Sequence, residues 1–338
     1  MPESGWAAKY RKAIKWALAV FSILWVGWYF YRNRQDLRLF LSLRPSTILI
    51  LLVLFTLHLW LYSLQFYLVL RQCAQRPLPF VAFLKTIILG RFLSSIAPQA
   101  GGVWRAVYLK HKFGISYTRY LSGFFCFLWI DAAMNILLSA AVFGYCAPTF
   151  HVGWLSIWWI LLTMTVVWFM PIVFESLFGG YSFRTGWLLW LHGRFSELLG
   201  IAVQNLLKGR MLIRVGAINL LNFANNILIF HLCLSGSAGF VTLPVLVIFF
   251  ILLKLSSYII LTPGNIGVRE LAYGFLSQHL GLTAGAGIVL SIFYRLFGMV
   301  VISLFGLFFG GTKLFINPQQ SLSDNNKSCV GGDDIQQT

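Results

Sequence analysis

Acidic residues are scarce in this sequence: nine Asp and Glu stand against 26 Lys and Arg, and charged residues of both signs make up only 10% of 338 positions. A soluble domain carries roughly 25% charged residues, so a water-exposed globular fold is excluded. Cysteine is sparse and unpatterned. Cys73, Cys126, Cys146, Cys233 and Cys329 show no CxxC spacing, and three of them lie in apolar runs, where a thiol behaves as a small hydrophobe. They imply neither disulfides nor a metal centre. Enzyme signatures are missing as well. The six histidines form no HExxH pair, and there is no Walker A loop, Rossmann glycine triplet or GxSxG elbow. The expectation is therefore no catalytic residue, no metal and no cofactor.

What the chain has instead is hydrocarbon, with 59% hydrophobic residues. The apolar material comes in runs of about 18 to 27 residues, matching the ~20 that a helix needs to cross ~30 Å of bilayer. Full spans are expected at about 14–31, 48–70, 121–147, 152–174, 211–235 and 284–310. The first follows Lys9, Arg11, Lys12 and Lys15 but is long, aromatic and without a small-residue cleavage site, so it reads as a retained span rather than a signal peptide.

Two segments do not fit a single span. Residues 80–113 break at Ile96-Ala-Pro-Gln-Ala-Gly-Gly102, and residues 241–280 break at Leu261-Thr-Pro-Gly-Asn-Ile-Gly267. Each reads as a helix-break-helix hairpin. If both hairpins return to the side they entered from, six spans result and both termini lie inside. Of the 26 Lys and Arg, only Arg32, Arg34, Arg38 and Arg44 then fall outside, while Arg91, Lys254, Arg269 and Arg295 lie within membrane segments. The remaining positive charge sits inside, which supports a cytoplasmic N-terminus. Topology and anionic headgroups thus explain the net charge of +17, and no nucleic-acid partner is expected.

The breaks share a pattern. Pro98-x-x-x-Gly102-Val103 and Pro263-x-x-x-Gly267-Val268 lie 165 residues apart and are the only PxxxG matches in the chain. Each hairpin is flanked by one span before and one after, and the two units run in opposite directions in this topology. The fold class expected is all-α: a polytopic membrane protein of about six full spans plus two re-entrant hairpins in an inverted repeat, the arrangement that transporters use to bring broken helices together. Its domains are a basic cytoplasmic N-terminus at 1–13, a membrane domain at 14–312, and a polar tail at 313–338 that cannot bury enough surface to repay ordering. Repeat one covers about 48–147 and repeat two about 211–310.

Proline removes an amide donor and glycine permits unusual dihedrals, so each break frees backbone polar groups. In hydrocarbon each costs several kcal/mol unless buried in protein or facing a wet cavity. A polar cavity is therefore expected between the hairpins, with helix N-termini near Val103 and Val268 aimed into it and joined by Arg105 and Arg269, an arrangement suited to phosphate. Kinked packing helices are the plainer alternative. The candidate substrate-binding set is Arg91, Pro98, Gly101, Gly102, Arg105, Pro263, Gly264, Asn265, Gly267, Arg269 and Glu270. Glu270 is expected to pair with Arg269, take a proton or cap a helix start. Arg91 either reaches a headgroup or snorkels, and for Lys254 snorkelling is the default. Asp131 and Arg295 occupy nearly equivalent repeat positions, 33 and 32 residues after Pro98 and Pro263. They are expected to face each other as an intramembrane pair, either structural or functional.

The stretches Pro98-Gln-Ala-Gly-Gly-Val-Trp-Arg105-Ala and Pro263-Gly-Asn-Ile-Gly-Val-Arg-Glu270, with Asp131 and Tyr294-Arg295, resemble the transmembrane family named for lysylphosphatidylglycerol synthase, whose members are often called flippase-like. The likeness spans about residues 10–312, and Gly-Val-Arg-Glu is its most specific part. The family pattern often has acidic residues, and a Glu-Arg pair, where this chain has Val103, Phe127 and Leu128. The resemblance implies a domain that translocates or helps handle phospholipids or polyprenyl-linked glycans across a bacterial inner membrane. Only a short tail follows Gly311, so the soluble aminoacyltransferase domain of two-domain members is not expected.

The leading expectation is a translocator holding an anionic headgroup between Arg105 and Arg269. A membrane-embedded enzyme acting on a lipid phosphate or lipid-linked sugar is the alternative, with Glu270 or Asp131 as acid-base candidates. A scaffold for envelope polysaccharide assembly is another, using the GxxxG of Gly306 and Gly310 for helix contacts. Expected partners are membrane lipids, then a second copy of the chain or envelope-biosynthesis enzymes.

Overall fold

The structure is a computed structural model that describes residue 31 and residues 44–74, 77–96, 100–153, 155–178, 209–235, 241–258, 265 and 267–309. The expected segments 1–13 and 313–338, the span 14–31 apart from its last residue, and Pro98, Pro263 and Gly264 lie outside the described residues.

The protein is an all-α polytopic membrane protein. Helix α1 (Pro45–Leu70) starts on a proline at its first turn, where the missing amide costs nothing. It is followed by a short 3-10 turn (Arg71–Cys73). Then come α2 (Phe80–Ile96), α3 (Ala100–Phe113) and α4 (Tyr117–Cys146). Ser116 caps α4 by accepting from the Arg119 amide at 3.3 Å. A tight turn pairs strand β1 (His151–Val152) with β2 (Leu155–Ser156), His151 opposite Ser156. Next are α5 (Ile157–Phe178), α6 (Gly209–Ser235), α7 (Leu243–Tyr258), α8 (Val268–His279) and α9 (Ala284–Phe308). Thr283 caps α9 through the Ala286 amide at 3.2 Å.

Among the described residues, four helices are long and apolar enough to cross a bilayer: α1, α4, α6 from Met211, and α9. At ~1.5 Å per residue, the 26 residues of α1 reach about 39 Å, more than the ~30 Å core. The span expected at 152–174 starts late: residues 151–156 form the β-turn and the helix begins at Ile157. Gly153, with φ +61, makes that turn in a conformation that side chains resist.

Both interrupted segments are helix-break-helix units, α2 with α3 and α7 with α8. The order long helix, broken pair, long helix thus occurs twice, as α1 to α4 and α6 to α9. Packing between the two sets is reciprocal: α1 lies on α6, α4 packs on α6 and α7, and α9 packs on α1 and α2. This is the exchange that a two-fold relation produces, in which each copy lends the other an equivalent surface. Small residues permit the close contacts. A Cβ on Gly101 would lie 1.7 Å from the Gly90 carbonyl oxygen, so α3 rests directly on the α2 backbone. A Cβ on Gly306 would strike the Phe92 ring at 2.6 Å, so this member of the expected GxxxG contact seats α9 on α2 within the chain. Leucines and valines such as Leu49, Val53, Leu220 and Leu304 face outward, as lipid contact requires.

Candidate polar centre between the two helix sets

Helix α6 carries Asn219, Asn222, Asn225 and Asn226, all buried. Residues at i, i+3 and i+7 share one helix face, so Asn219, Asn222 and Asn226 form a polar stripe about 10 Å long at ~1.5 Å per residue. An amide left unpaired in hydrocarbon costs several kcal/mol, and each of these finds a partner on a neighbouring helix. The Asn219 amide donates to Asp131 Oδ1 at 2.9 Å. His58 Nδ1 lies 2.8 Å from Asn222 Oδ1 and 3.2 Å from the Asn226 amide nitrogen. The Tyr294 hydroxyl donates to Asn226 Oδ1 at 2.8 Å, and Asn225 donates to the Leu54 carbonyl at 3.1 Å.

Two ion pairs sit on this stripe, and they correct the expected Asp131–Arg295 pair. Asp131 takes both of its strong bonds from Lys254, at 2.7 Å to Oδ2 and 3.0 Å to Oδ1. Arg295 instead pairs with Glu270 Oε1 at 3.2 Å and donates to the Asn265 carbonyl at 3.0 Å. The physical reason is register. Asp131 on α4 faces α7, the first arm of the second broken pair, whereas Arg295 on α9 faces α8 of its own set. Lys254, expected to snorkel, is drawn inward because only there does it meet a carboxylate.

The second break is held by its own residues. Gly267, at φ +82, caps α8. Its amide donates to Glu270 Oε2 at 2.6 Å, while Ser291 donates to Glu270 Oε1 at 3.3 Å. Asn265 has φ +52 and donates its amide to the Ser256 carbonyl. Of the roles open to Glu270, the structure thus uses the cap, together with a pair to Arg295 rather than to Arg269. The start of α8 is occupied by a protein carboxylate, so the positive end expected to attract a phosphate is already neutralised.

Arg269 is different. Its guanidinium lies over the Tyr294 ring at 5.1 Å and the Tyr273 ring at 5.4 Å. Nε and Nη2 are buried with no hydrogen-bond partner among the described residues. Ring contacts contribute ~0.5 to 2 kcal/mol, whereas desolvating an ion costs several kcal/mol.

The first broken pair contributes less than expected. Arg105 folds back onto its own unit, donating Nε to the Gly101 carbonyl at 3.1 Å with its methylenes against Gly90. Arg91 lies 4.0 Å over the Tyr62 ring and acts electrostatically on both His58 and Tyr294. Gly101 is consumed by packing, and nothing lies within 4 Å of a Cβ on Gly102. His58 and the asparagines of α6 were not among the residues singled out from the sequence. Their signal was present as asparagines at i, i+3 and i+7 inside an apolar span.

The family described as the lysylphosphatidylglycerol synthase TM region matches residues 14–306 of the chain. No curated protein and no solved structure matches it.

Proposed function

The chain belongs to the lysylphosphatidylglycerol synthase transmembrane family, a membrane family associated with lipid handling, and from that premise we propose that it moves an anionic lipid across the bacterial inner membrane. A phospholipid or a polyprenyl-linked glycan fits the same chemistry, since both carry phosphate on a hydrocarbon anchor. The observation that carries the reading is the half-buried Arg269, whose Nε and Nη2 have no hydrogen-bond partner among the described residues while the guanidinium lies over the Tyr294 ring. A planar, permanently charged fork suits phosphate oxygens. The headgroup lies between Arg269 and Arg91 while its chains stay in hydrocarbon.

The two helix sets act as opposed units with re-entrant hairpins, so rocking of one against the other would expose the polar centre to each face in turn. The positive charges flanking the spans support cytoplasmic termini. Catalysis at Glu270 or Asp131 is less well supported, because both carboxylates are engaged in ion pairs and hydrogen bonds.

The test is leaflet exchange in liposomes. Headgroup-labelled phosphatidylglycerol should become accessible to a membrane-impermeant quencher in vesicles holding the protein, with no new lipid species formed. Appearance of a modified lipid, or no exchange at all, would reject the proposal.

A further inference from the structure

A separate cavity of about 440 Å³ lies between α4, α5 and α7. Its walls are apolar, including Ile136, Leu161, Met164, Val167 and Phe250. Lys254 lies at one end, together with Asn135, whose side-chain amide donates to the Asp131 carbonyl at 2.6 Å. On α4 the lining runs from Ala132 to Ser139 and on α5 from Ile160 to Trp168. At ~1.5 Å per residue the cavity extends about 10 Å along the helices, from the level of Asp131 toward the 147–156 turn.

The lining selects the occupant: apolar side chains of α4, α5 and α7 run along the length of the cavity, which suits hydrocarbon. Water is a poor occupant of walls so apolar. At the inner end, Lys254 uses two hydrogens on Asp131 Oδ1 and Oδ2. Its ammonium also lies 5.4 Å from the centre of the Phe250 ring, which lines the cavity. The cavity is therefore the junction between the charged stripe and the lipid phase.

We propose that this cavity seats hydrocarbon chain of the anionic lipid, with Lys254 at the boundary between chain and headgroup. This rests on the lipid-handling reading above and deepens it.

The test uses the full chain in phosphatidylcholine vesicles containing phosphatidylglycerol with a photoactivatable diazirine on one acyl chain. After irradiation, mass spectrometry should place adducts on 135–139, 160–168 and 250–255 in excess of those on the outward Leu49 and Val53. Ser139→Trp, which fills the cavity, should cut these adducts about tenfold. Should that variant fail to fold, Thr163→Trp on the exposed side of α5 carries the same expectation. Adducts no denser in the cavity than on Leu49 and Val53, and unchanged in a folded variant, would overturn the inference. Cavity adducts without leaflet exchange would support the chain site and reject translocation. Exchange without cavity adducts would reject the chain site alone.

Discussion

His58 on α1 and Asn222 on α6 meet at 2.8 Å, and they are 164 residues apart, the same offset that separates the helix starts Pro45 and Gly209. Each lies 13 residues after its helix start, on two helices packed against each other. Beside this contact Asp131 reaches Lys254 in the second helix set, while Tyr294 reaches Asn226 within that set.

This bond should be coupled energetically. Replacing either partner alone, as in His58→Leu or Asn222→Leu, leaves a buried polar group unmatched at a cost of ~1 to 3 kcal/mol. The double replacement should recover part of that loss. Unfolding in detergent, arranged as a double-mutant cycle, measures the coupling. Strict additivity would show that the two side chains do not interact.

Asp131 and Lys254 should behave as one unit. Removing one charge, by Asp131→Asn or Lys254→Met, should cost ~3 to 5 kcal/mol because it strands the other in a low-dielectric interior. Exchanging the pair, Asp131→Lys with Lys254→Asp, should restore most of the melting temperature. Exchanging Asp131 with Arg295 should restore nothing, since the two belong to different pairs.

The adjacent glycines of the first break should differ sharply. Gly101→Ala puts a methyl 1.7 Å from the Gly90 carbonyl oxygen and forces α3 off α2, with overpacking costs of ~1 to 3 kcal/mol or more. Gly102→Ala meets nothing within 4 Å and should leave the melting temperature unchanged. Equal effects would mean that the helix contact is not made as described.

How much of this was legible in the sequence follows from what each signal depends on. Run length and charge position are local properties, so α1, α4, α6 and α9 and both broken pairs were readable without knowing their neighbours. The repeat position of Arg295 relative to Asp131 was readable too, but partners depend on how helices rotate against one another. One turn of α4 decides whether Asp131 meets α7 or α9, and no spacing within α4 carries that information. Lys254 illustrates the same gap. A lysine in an apolar run snorkels when alone and turns inward when a carboxylate from a distant segment is within reach. Glu270 was closer to legible, because a carboxylate three residues after a glycine N-cap is a capping pattern.

The central claim is that Arg269, with Nε and Nη2 buried and without hydrogen-bond partners among the described residues, is kept for a phosphate-bearing headgroup. Native mass spectrometry of the purified chain with equimolar phosphatidylglycerol and phosphatidylcholine tests it most directly. The wild type should retain the anionic lipid preferentially. Arg269→Gln should lose that preference about 10- to 100-fold, the value of a ~1.5 to 3 kcal/mol charged hydrogen bond, while its melting temperature holds or rises. An unchanged preference in a folded Arg269→Gln protein would contradict the account.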